Sequence, residues 1–399
     1  MWEKSVSIND INEIRTKTNL YLGIGAISKI NDIAKELSTK GIKKVILLTG
    51  KSSYIKNGAW GHVEPALKNN GIEYLLFNKI TPNPNSYDCD EATKLSIEFG
   101  AQAVIGIGGG SPIDSAKTVA IMSCYPEYTT SDLYELKFTP EKALPIIAIN
   151  TTHGTGSEVN RFAVVSLLDK NYKPAIAYDV CYPLYSIDDA KLMTGLSKNQ
   201  TSYTAVDAVN HVIEACTSLV ASPYCMLLAK ETIRLVTKYL PKALENGEDL
   251  EARYYLTYAS MIAGTCFDNG MLHLTHALEH PLSAVKPDLA HGLGLGVILP
   301  AVIRAIYPAR PEVLAEILEP IAPGLKGIAD ETEVAVEKVK TWLQSVGVTD
   351  TLTTLGFTEN DVKKLVDLSF NTPSLDSLLG LAPVKATKEL VEGIYSQSL

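Results

Sequence analysis

Short aliphatic and β-branched runs recur through the first half of the chain, each followed by an amphipathic stretch, and from about Lys191 onward they stop. Lys44–Thr49 is one such run, halted by Gly50; Glu73–Phe77, Ala103–Ile107 and Ala143–Ile149 are others. Ile30–Leu37 sets Ile30, Ile33, Ala34 and Leu37 on one helical face, and a further helix is predicted from about Cys89 to Phe99. Continuously apolar strands suit a sheet covered on both faces, and strand–helix alternation suits parallel order. The expected fold is therefore an α/β N-terminal domain with a doubly wound, mainly parallel sheet. Beyond it only 3.6-residue spacing remains, over Ser222–Leu240, Leu250–Cys266, Leu299–Ile306, Glu333–Val346 and Thr387–Tyr395, which predicts an all-α C-terminal domain. The chain has 399 residues, more than a single core of roughly 250–300 residues usually holds. The expected division is 1–189 and 190–399, with a ligand cleft at the seam.

Two loops at strand ends suit an anion. Ala103–Ile107 runs into Gly108-Gly109-Gly110-Ser111-Pro112-Ile113-Asp114 and on to Lys117. Glycines allow backbone N–H groups to approach a phosphate, and a proline in the first turn presets the following helix, whose start favours negative charge. The same residues also suit a plain strand-to-helix turn, and they are not the Gly-x-Gly-x-x-Gly fingerprint. Thr151-Thr152-His153-Gly154-Thr155-Gly156-Ser157-Glu158 is rich in hydroxyls and glycine. Two such loops at neighbouring strand ends would cradle one dinucleotide. His153 reads as a surface turn residue.

Histidine is concentrated further on. Five of the seven histidines lie between Asp207 and His291: His211, His273, His276, His280 and His291. Residues three or four apart share a helical face. Asp207 and His211 are thus expected to point one way from one helix, and His273, His276 and His280 one way from another. Asp207 and His211 alone would suit a buried hydrogen-bonded pair. A carboxylate with imidazoles from separate segments suits a divalent metal, and four protein groups would complete a tetrahedron. With more histidines than a tetrahedron needs, one imidazole would remain as an acid/base near neutrality. The glycine after His291 is expected to leave room beside its ring.

A net charge of −9 argues against nucleic acid as a partner. No run of about 18 uninterrupted apolar residues appears, so no membrane association is expected. The start Met1-Trp-Glu-Lys-Ser has no apolar core of the signal-peptide kind. Six scattered cysteines without a Cys-x-x-Cys pair suit reduced thiols of a cytoplasmic protein.

Taken together, Gly23-Ile-Gly-Ala26, Thr81-Pro-Asn-Pro84, Gly108–Lys117, Thr151–Val159, Asp207–Glu214 and Phe267–Pro300 resemble the iron-containing (type III) alcohol dehydrogenases. That superfamily includes glycerol dehydrogenase and dehydroquinate synthase. The resemblance spans nearly the whole chain and implies a dehydroquinate synthase-like architecture. It implies that Asp207, His211, His276 and His291 bind a metal, Fe²⁺ first and Zn²⁺ or Mn²⁺ as alternatives. His280 is then left beside nicotinamide and substrate as the catalytic residue. Gly109, Gly110 and Ser111 would hold the pyrophosphate, and Thr151, Thr152 and Thr155 would line the rest of the cofactor. Asp114 and Lys173 match positions in the same cleft, the lysine near the ribose. Departures from the family pattern are His153 where alanine is frequent, Ala205 where glycine is usual, His273 in place of glycine, and one extra residue between His280 and His291. His273 could line the substrate pocket or simply pack, and packing or support of a ligand is the expectation.

The implied reaction is reversible hydride transfer between a small-molecule alcohol and nicotinamide. After the Val45–Thr49 strand a carboxylate would accept from a ribose 2′-hydroxyl; Gly50-Lys51-Ser52-Ser53 offers instead a lysine and two hydroxyls, which suit a 2′-phosphate. NADP(H) is therefore expected over NAD(H). The rival readings are a glycerol or diol dehydrogenase, the lyase chemistry of dehydroquinate synthase, a metal-dependent hydrolase and a non-catalytic nucleotide-binding regulator. The apolar, neutral segment after Asp207 disfavours the lyase, which needs lysines and arginines for an anionic substrate. A homo-oligomer, most simply a dimer, is expected.

Overall fold

The computed structural model describes residues 2–5, 9 and 11–399; Met1, part of the N-terminal stretch read above, lies outside them. Eight strands and sixteen α-helices are described. The strands are β1 (Asn19–Leu22), β2 (Lys44–Thr49), β3 (Glu73–Phe77), β4 (Ala103–Gly108), β5 (Ile146–Asn150), β6 (Phe162–Val164), β7 (Ala175–Ala177) and β8 (Tyr185–Asp188). The α/β domain carries α1 (Ile30–Thr39), α2 (Ser53–Lys56), α3 (Trp60–Asn69), α4 (Ser86–Phe99), α5 (Gly110–Met122) and α6 (Thr130–Tyr134). The helical domain holds α7 (Lys198–Thr217), α8 (Pro223–Glu245), α9 (Leu250–Gly270), α10 (Leu274–Val285) and α11 (His291–Ile306). It continues through α12 (Pro311–Ile317), α13 (Thr332–Ser345), α14 (Glu359–Asn371), α15 (Leu375–Gly380) and α16 (Lys388–Gln397).

Six strands form one sheet in the order β1-β8-β5-β4-β2-β3, parallel throughout. Side chains alternate across it as the pleat requires. Val45, Leu47, Ile105, Ile107, Ile147 and Ile149 pack with α1 and α3 on one face, while Ile46, Leu48, Val104 and Ile146 meet α4 and α5 on the other. The expected double winding follows directly from those continuously apolar strands. Four strands escaped the sequence reading: β1 and β8 have four residues each and the paired β6 and β7 three each, too few to show a period. The run at Ala143 also begins later than expected. Pro145 has no N–H to give a ladder, and β5 starts at Ile146.

Parallel order brings every strand end to one edge. Thr49 pairs with Ile107, Gly108 with Asn150, and Asn150 with Asp188. The loops after β2, β4 and β5 therefore leave side by side, where helical domains of this kind can close over them.

In the helical domain α7 is central. It opens with a capping box from Ser197 and Gln200 and is buried along most of its length, which ties Asp207 and His211, the two residues there read for chemistry, into the core. The stretch His291–Ala309 is long and apolar enough to cross a bilayer by composition alone, yet 72% of it is buried inside the protein, as suits a core helix.

Glycines set how closely the domains meet. A Cβ on Gly156 would lie 2.3 Å from the Gly264 Cα of α9, and one on Gly154 would lie 2.5 Å from the Thr204 carbonyl of α7. The Gly264→Ala substitution is expected to destabilise by about 2–3 kcal/mol through overpacking. By contrast Gly393→Ala on α16, where a Cβ meets only Gln397 at 3.8 Å, should stabilise by up to about 1 kcal/mol. Denaturant unfolding of the two variants checks the contrast.

Candidate functional site

Asp207 and His211 stand one turn apart on α7, both buried, with the carboxylate Oδ1 3.3 Å from His211 Nε2. From α10, His276 brings its Nε2 to 3.5 Å from the same oxygen. His291, the first residue of α11, brings its Nε2 to 4.0 Å. Donor atoms of Asp207, His276 and His291 all lie within 4.8 Å of one another, and the His211 ring stacks on that of His276 with centroids 4.7 Å apart. The four residues thus converge from three helices.

Among the described residues neither Asp207 Oδ1 nor His276 Nε2 has a hydrogen-bond partner. Buried polar atoms rarely stay unmatched. One carboxylate oxygen ringed by imidazole nitrogens fits a divalent first-row cation. Burial opposes the Asp207 charge, but His211, His276 and His291 outweigh it and hold the carboxyl far below its usual range. Burial also opposes charge on His276; there Glu214, helped by Asp207, wins and raises the imidazole to about 9. At His211 burial wins despite Asp207 and leaves the ring at about 4.

Two buried carboxylates that the sequence reading did not assign complete the arrangement. Glu214 Oε2 contacts His276 Nδ1, and Glu214 Oε1 accepts from the backbone N–H of His273 at 3.0 Å and of His276 at 3.2 Å. One side chain on α7 thus caps the start of α10 and orients its imidazole. Glu279 Oε2 contacts His291 Nδ1, and Ser283 donates to Glu279 Oε1. Such carboxylates fix which nitrogen of a ligating histidine faces the metal. The spacing of Glu214, three residues past His211 and seven past Asp207, was the one signal available for it. Glu279 has the same three-residue spacing from His276, but its partner is His291, on the next helix.

The room left by the glycines after His291 goes elsewhere than expected. A Cβ on Gly292 would fall 1.9 Å from the Tyr203 carbonyl of α7, and one on Gly294 2.9 Å from Glu279. These glycines seat α11 on its neighbours and do not open space beside the imidazole. His273 also departs from expectation. It is the N-cap of α10, with φ −148° and ψ −111°, so helical spacing does not apply. Its Nε2 meets Thr217 Oγ1 at 2.8 Å and the ring is fully buried, a placement that agrees with the packing expected of it.

His280 does face the cluster, its ring centroid 5.7 Å from that of His291. Its Nδ1 donates to the Lys173 carbonyl at 2.8 Å. Burial, followed by the Lys173 and His291 charges, keeps its pKa well below the ordinary value, which corrects the near-neutral titration expected of the spare imidazole. The Lys173 amine lies beside this centre, donating to Asn83 Oδ1 at 2.9 Å and standing 3.5 Å from both Glu279 Oε2 and His291 Nδ1. Asn83, from the Thr81–Pro84 turn, donates in turn to the carbonyls of Pro287 and Leu289 at 2.8 and 3.1 Å. That turn therefore closes over the centre from the α/β domain. Phe267 stacks on His211 at 4.3 Å and tilts against Phe162 at 5.3 Å, giving the cluster an aromatic flank.

On the α/β side, Gly109 caps α5, whose first residues are Gly110 and Ser111. Cβ atoms on Gly109 and Gly110 would lie 2.7 and 2.8 Å from Thr152 and Thr155, so the two predicted loops touch each other there. Asp114 is occupied in holding them: it accepts from Ser157 Oγ at 2.5 Å and from the Val164 N–H at 3.0 Å. Thr151 is buried next to Asn150. Gly50, Lys51, Ser52 and Ser53 form the turn from β2 into α2 at the same edge, with Lys51 and Ser53 exposed. His153 corrects the sequence reading, because it is 1% exposed.

Residues 17–190 match the family described as iron-containing alcohol dehydrogenase, and residues 201–399 match its C-terminal part. A long-chain primary alcohol dehydrogenase of Thermoanaerobacter ethanolicus is 58% identical over 398 residues, the full length of both chains. A 1,3-propanediol dehydrogenase of Klebsiella pneumoniae is 30% identical over 384 residues, covering 95% of this chain and 96% of that one. Among solved structures, an NADH-dependent butanol dehydrogenase of Thermotoga maritima superposes with a TM-score of 0.90 at 32% identity, covering 98% of each chain.

The carboxylate on His276 gives a direct check. Glu214→Gln keeps the shape but loses the charge that faces Nδ1, and is expected to weaken metal binding about 10–100-fold. Chelator competition with metal analysis reads this, and an unchanged affinity would remove the orienting role.

Proposed function

The chain belongs to the iron-containing alcohol dehydrogenase family and is a metal-dependent alcohol dehydrogenase; on that premise we propose that it interconverts primary alcohols bearing an apolar chain with their aldehydes, using NADP(H) in preference to NAD(H). The observation that supports the site most is the buried, unmatched pair of Asp207 Oδ1 and His276 Nε2. Asp207, His211, His276 and His291 would hold the cation, with Fe²⁺ the first choice and Zn²⁺ or Mn²⁺ compatible with the same donors. When bound, the cation supplies Lewis acidity toward an alcohol oxygen, and the dinucleotide supplies the carbon that exchanges hydride.

The chain's own residues do the rest. Glu214 and Glu279 occupy the Nδ1 atoms of His276 and His291, so that each Nε2 faces inward. His280 donates a hydrogen bond from Nδ1 to the Lys173 carbonyl, which leaves Nε2 as the atom that takes the alcohol proton and passes it outward. Backbone N–H groups at Gly109, Gly110 and Ser111, at the start of α5, would hold the diphosphate. Thr151, Thr152 and Thr155 would line the neighbouring part, with Asp114 keeping the two loops together. Phe162 and Phe267 offer an apolar wall for the alkyl chain, in keeping with the long-chain relative. The reading assigns residues 1–189 to the dinucleotide and 190–399 to the metal. The six free cysteines suit a cytoplasmic setting.

The cofactor preference rests on Gly50–Ser53, where Lys51 and two hydroxyls stand in place of a carboxylate. It differs from the NADH dependence named for the Thermotoga maritima enzyme. Comparing kcat/KM for NADPH and NADH decides it, and a clear preference for NADH refutes the assignment. A diol substrate is the second reading, favoured by the Klebsiella pneumoniae relative; turnover of 1,3-propanediol well above that of 1-octanol would select it. For the metal, His276→Ala and His291→Ala should each lose bound metal and activity together, and full activity of either in chelator would exclude these ligands. The His280→Ala variant should keep its metal while kcat falls about 10²-fold or more.

A further inference from the structure

The loop from Thr151 to Val159 is joined to the helical domain through a contact that the reading above does not use. His153 Nε2 receives a hydrogen bond from Arg253 Nη1 at 2.8 Å, and its Nδ1 lies 3.2 Å from Thr204 Oγ1. A guanidinium only donates, so Nε2 carries the lone pair and Nδ1 the proton. Burial, then the Arg253 charge, holds this imidazole near a pKa of about 3, and the ring is a neutral bridge. Arg253, on α9, is fully buried. Its other bonds end on Thr201 Oγ1 at 2.8 Å, the Gly247 carbonyl at 2.9 Å and the Leu196 carbonyl at 3.4 Å. Every one of these partners is uncharged. A buried cation with no carboxylate beside it is costly, and its field reaches further in a low dielectric than in water.

The position gives that charge a use. Thr201 and Thr204 stand on α7, six and three residues before Asp207. On the loop, His153 is next to Thr152, which touches Gly109, and two residues from Thr155, which touches Gly110. Gly154 and Gly156 press the same loop onto Thr204 and Gly264. One imidazole thus ties the diphosphate-facing threonines to the helix that bears Asp207 and His211, with an unneutralised guanidinium directly behind.

We propose that His153 is a positioning residue for the dinucleotide: gripped by Arg253, it fixes Thr151, Thr152 and Thr155 against the start of α5 and at a set distance from the metal-bearing helix. The inference rests on the reading of this loop as a dinucleotide site.

The test uses the full-length, metal-loaded enzyme, with NADPH and NADH titrated by fluorescence and in steady-state assays. The His153→Ala variant is expected to raise dinucleotide Kd and KM about tenfold, the worth of one hydrogen bond to a charged donor. Its kcat should stay within about twofold and its metal content should not change. His153→Gln, whose amide oxygen can reach Arg253, should recover most of the affinity. Should His153→Ala fail to fold, Thr204→Val removes the Nδ1 contact, together with the hydroxyl's bonds to the Gln200 and Thr201 carbonyls within α7, and should raise KM by about threefold. Unchanged KM in the alanine variant, or in Thr204→Val if that is the variant measured, overturns the inference. So does a glutamine variant as weak as alanine, or a loss confined to kcat. Wild-type enzyme that binds neither dinucleotide would instead remove the functional reading itself, and this inference with it.

Discussion

A carboxylate oxygen that faces three imidazoles in a buried place is the constraint around which the helical domain is arranged. Asp207 Oδ1 lies 3.3, 3.5 and 4.0 Å from nitrogens of His211, His276 and His291, and no hydrogen bond satisfies it. Charge buried in this way is tolerable only with close compensation. The imidazoles supply it, and further groups stand behind them in layers. Glu214 and Glu279 sit behind two of the rings, and from the α/β domain Lys173 stands beside Glu279, held there by Asn83. Each layer comes from a different segment, so the centre also records how those segments are packed.

That packing depends on absent side chains as much as on present ones. Gly292 lets α11 meet the backbone of α7, Gly264 lets α9 meet the loop at Gly156, and Gly270 lets α9 approach Ala215 within 2.4 Å of where its Cβ would be. His291 is the first residue of α11, so the seating of that helix at Gly292 also fixes where that imidazole stands. The sheet contributes differently. Its strands are parallel and continuously apolar, which leaves chemistry to the loops at their ends.

Much of this was legible in the sequence because it is local. The aliphatic runs at β2, β3 and β4 gave the sheet, and the four-residue spacings of Asp207–His211 and His276–His280 gave two faces of the centre. What was not legible depended on distance or on a break in regularity. His273 has the right spacing for the α10 face, but Met271 at φ +64° turns the chain just before it, and the ring goes to Thr217. Glu279 and Lys173 meet only in three dimensions, 106 residues apart. His153 sits in a glycine-rich polar stretch that reads as surface; its burial comes from Arg253, a hundred residues away. The strands β1 and β8 pair with each other and lack the length to announce themselves.

The parallel order of the sheet also leaves a second, quieter edge. The turns that precede β2, β3 and β4 run through Gly41, Gly71 and Gly100, all in left-handed conformations, at the far end of the strands from Gly50, Gly109 and Thr151. Lysines at 40 and 43 and asparagine at 70 border them. An enzyme tethered to a support or fused to another protein through these turns would keep its mouth toward the solution, with the anchorage a full strand length away from coenzyme traffic.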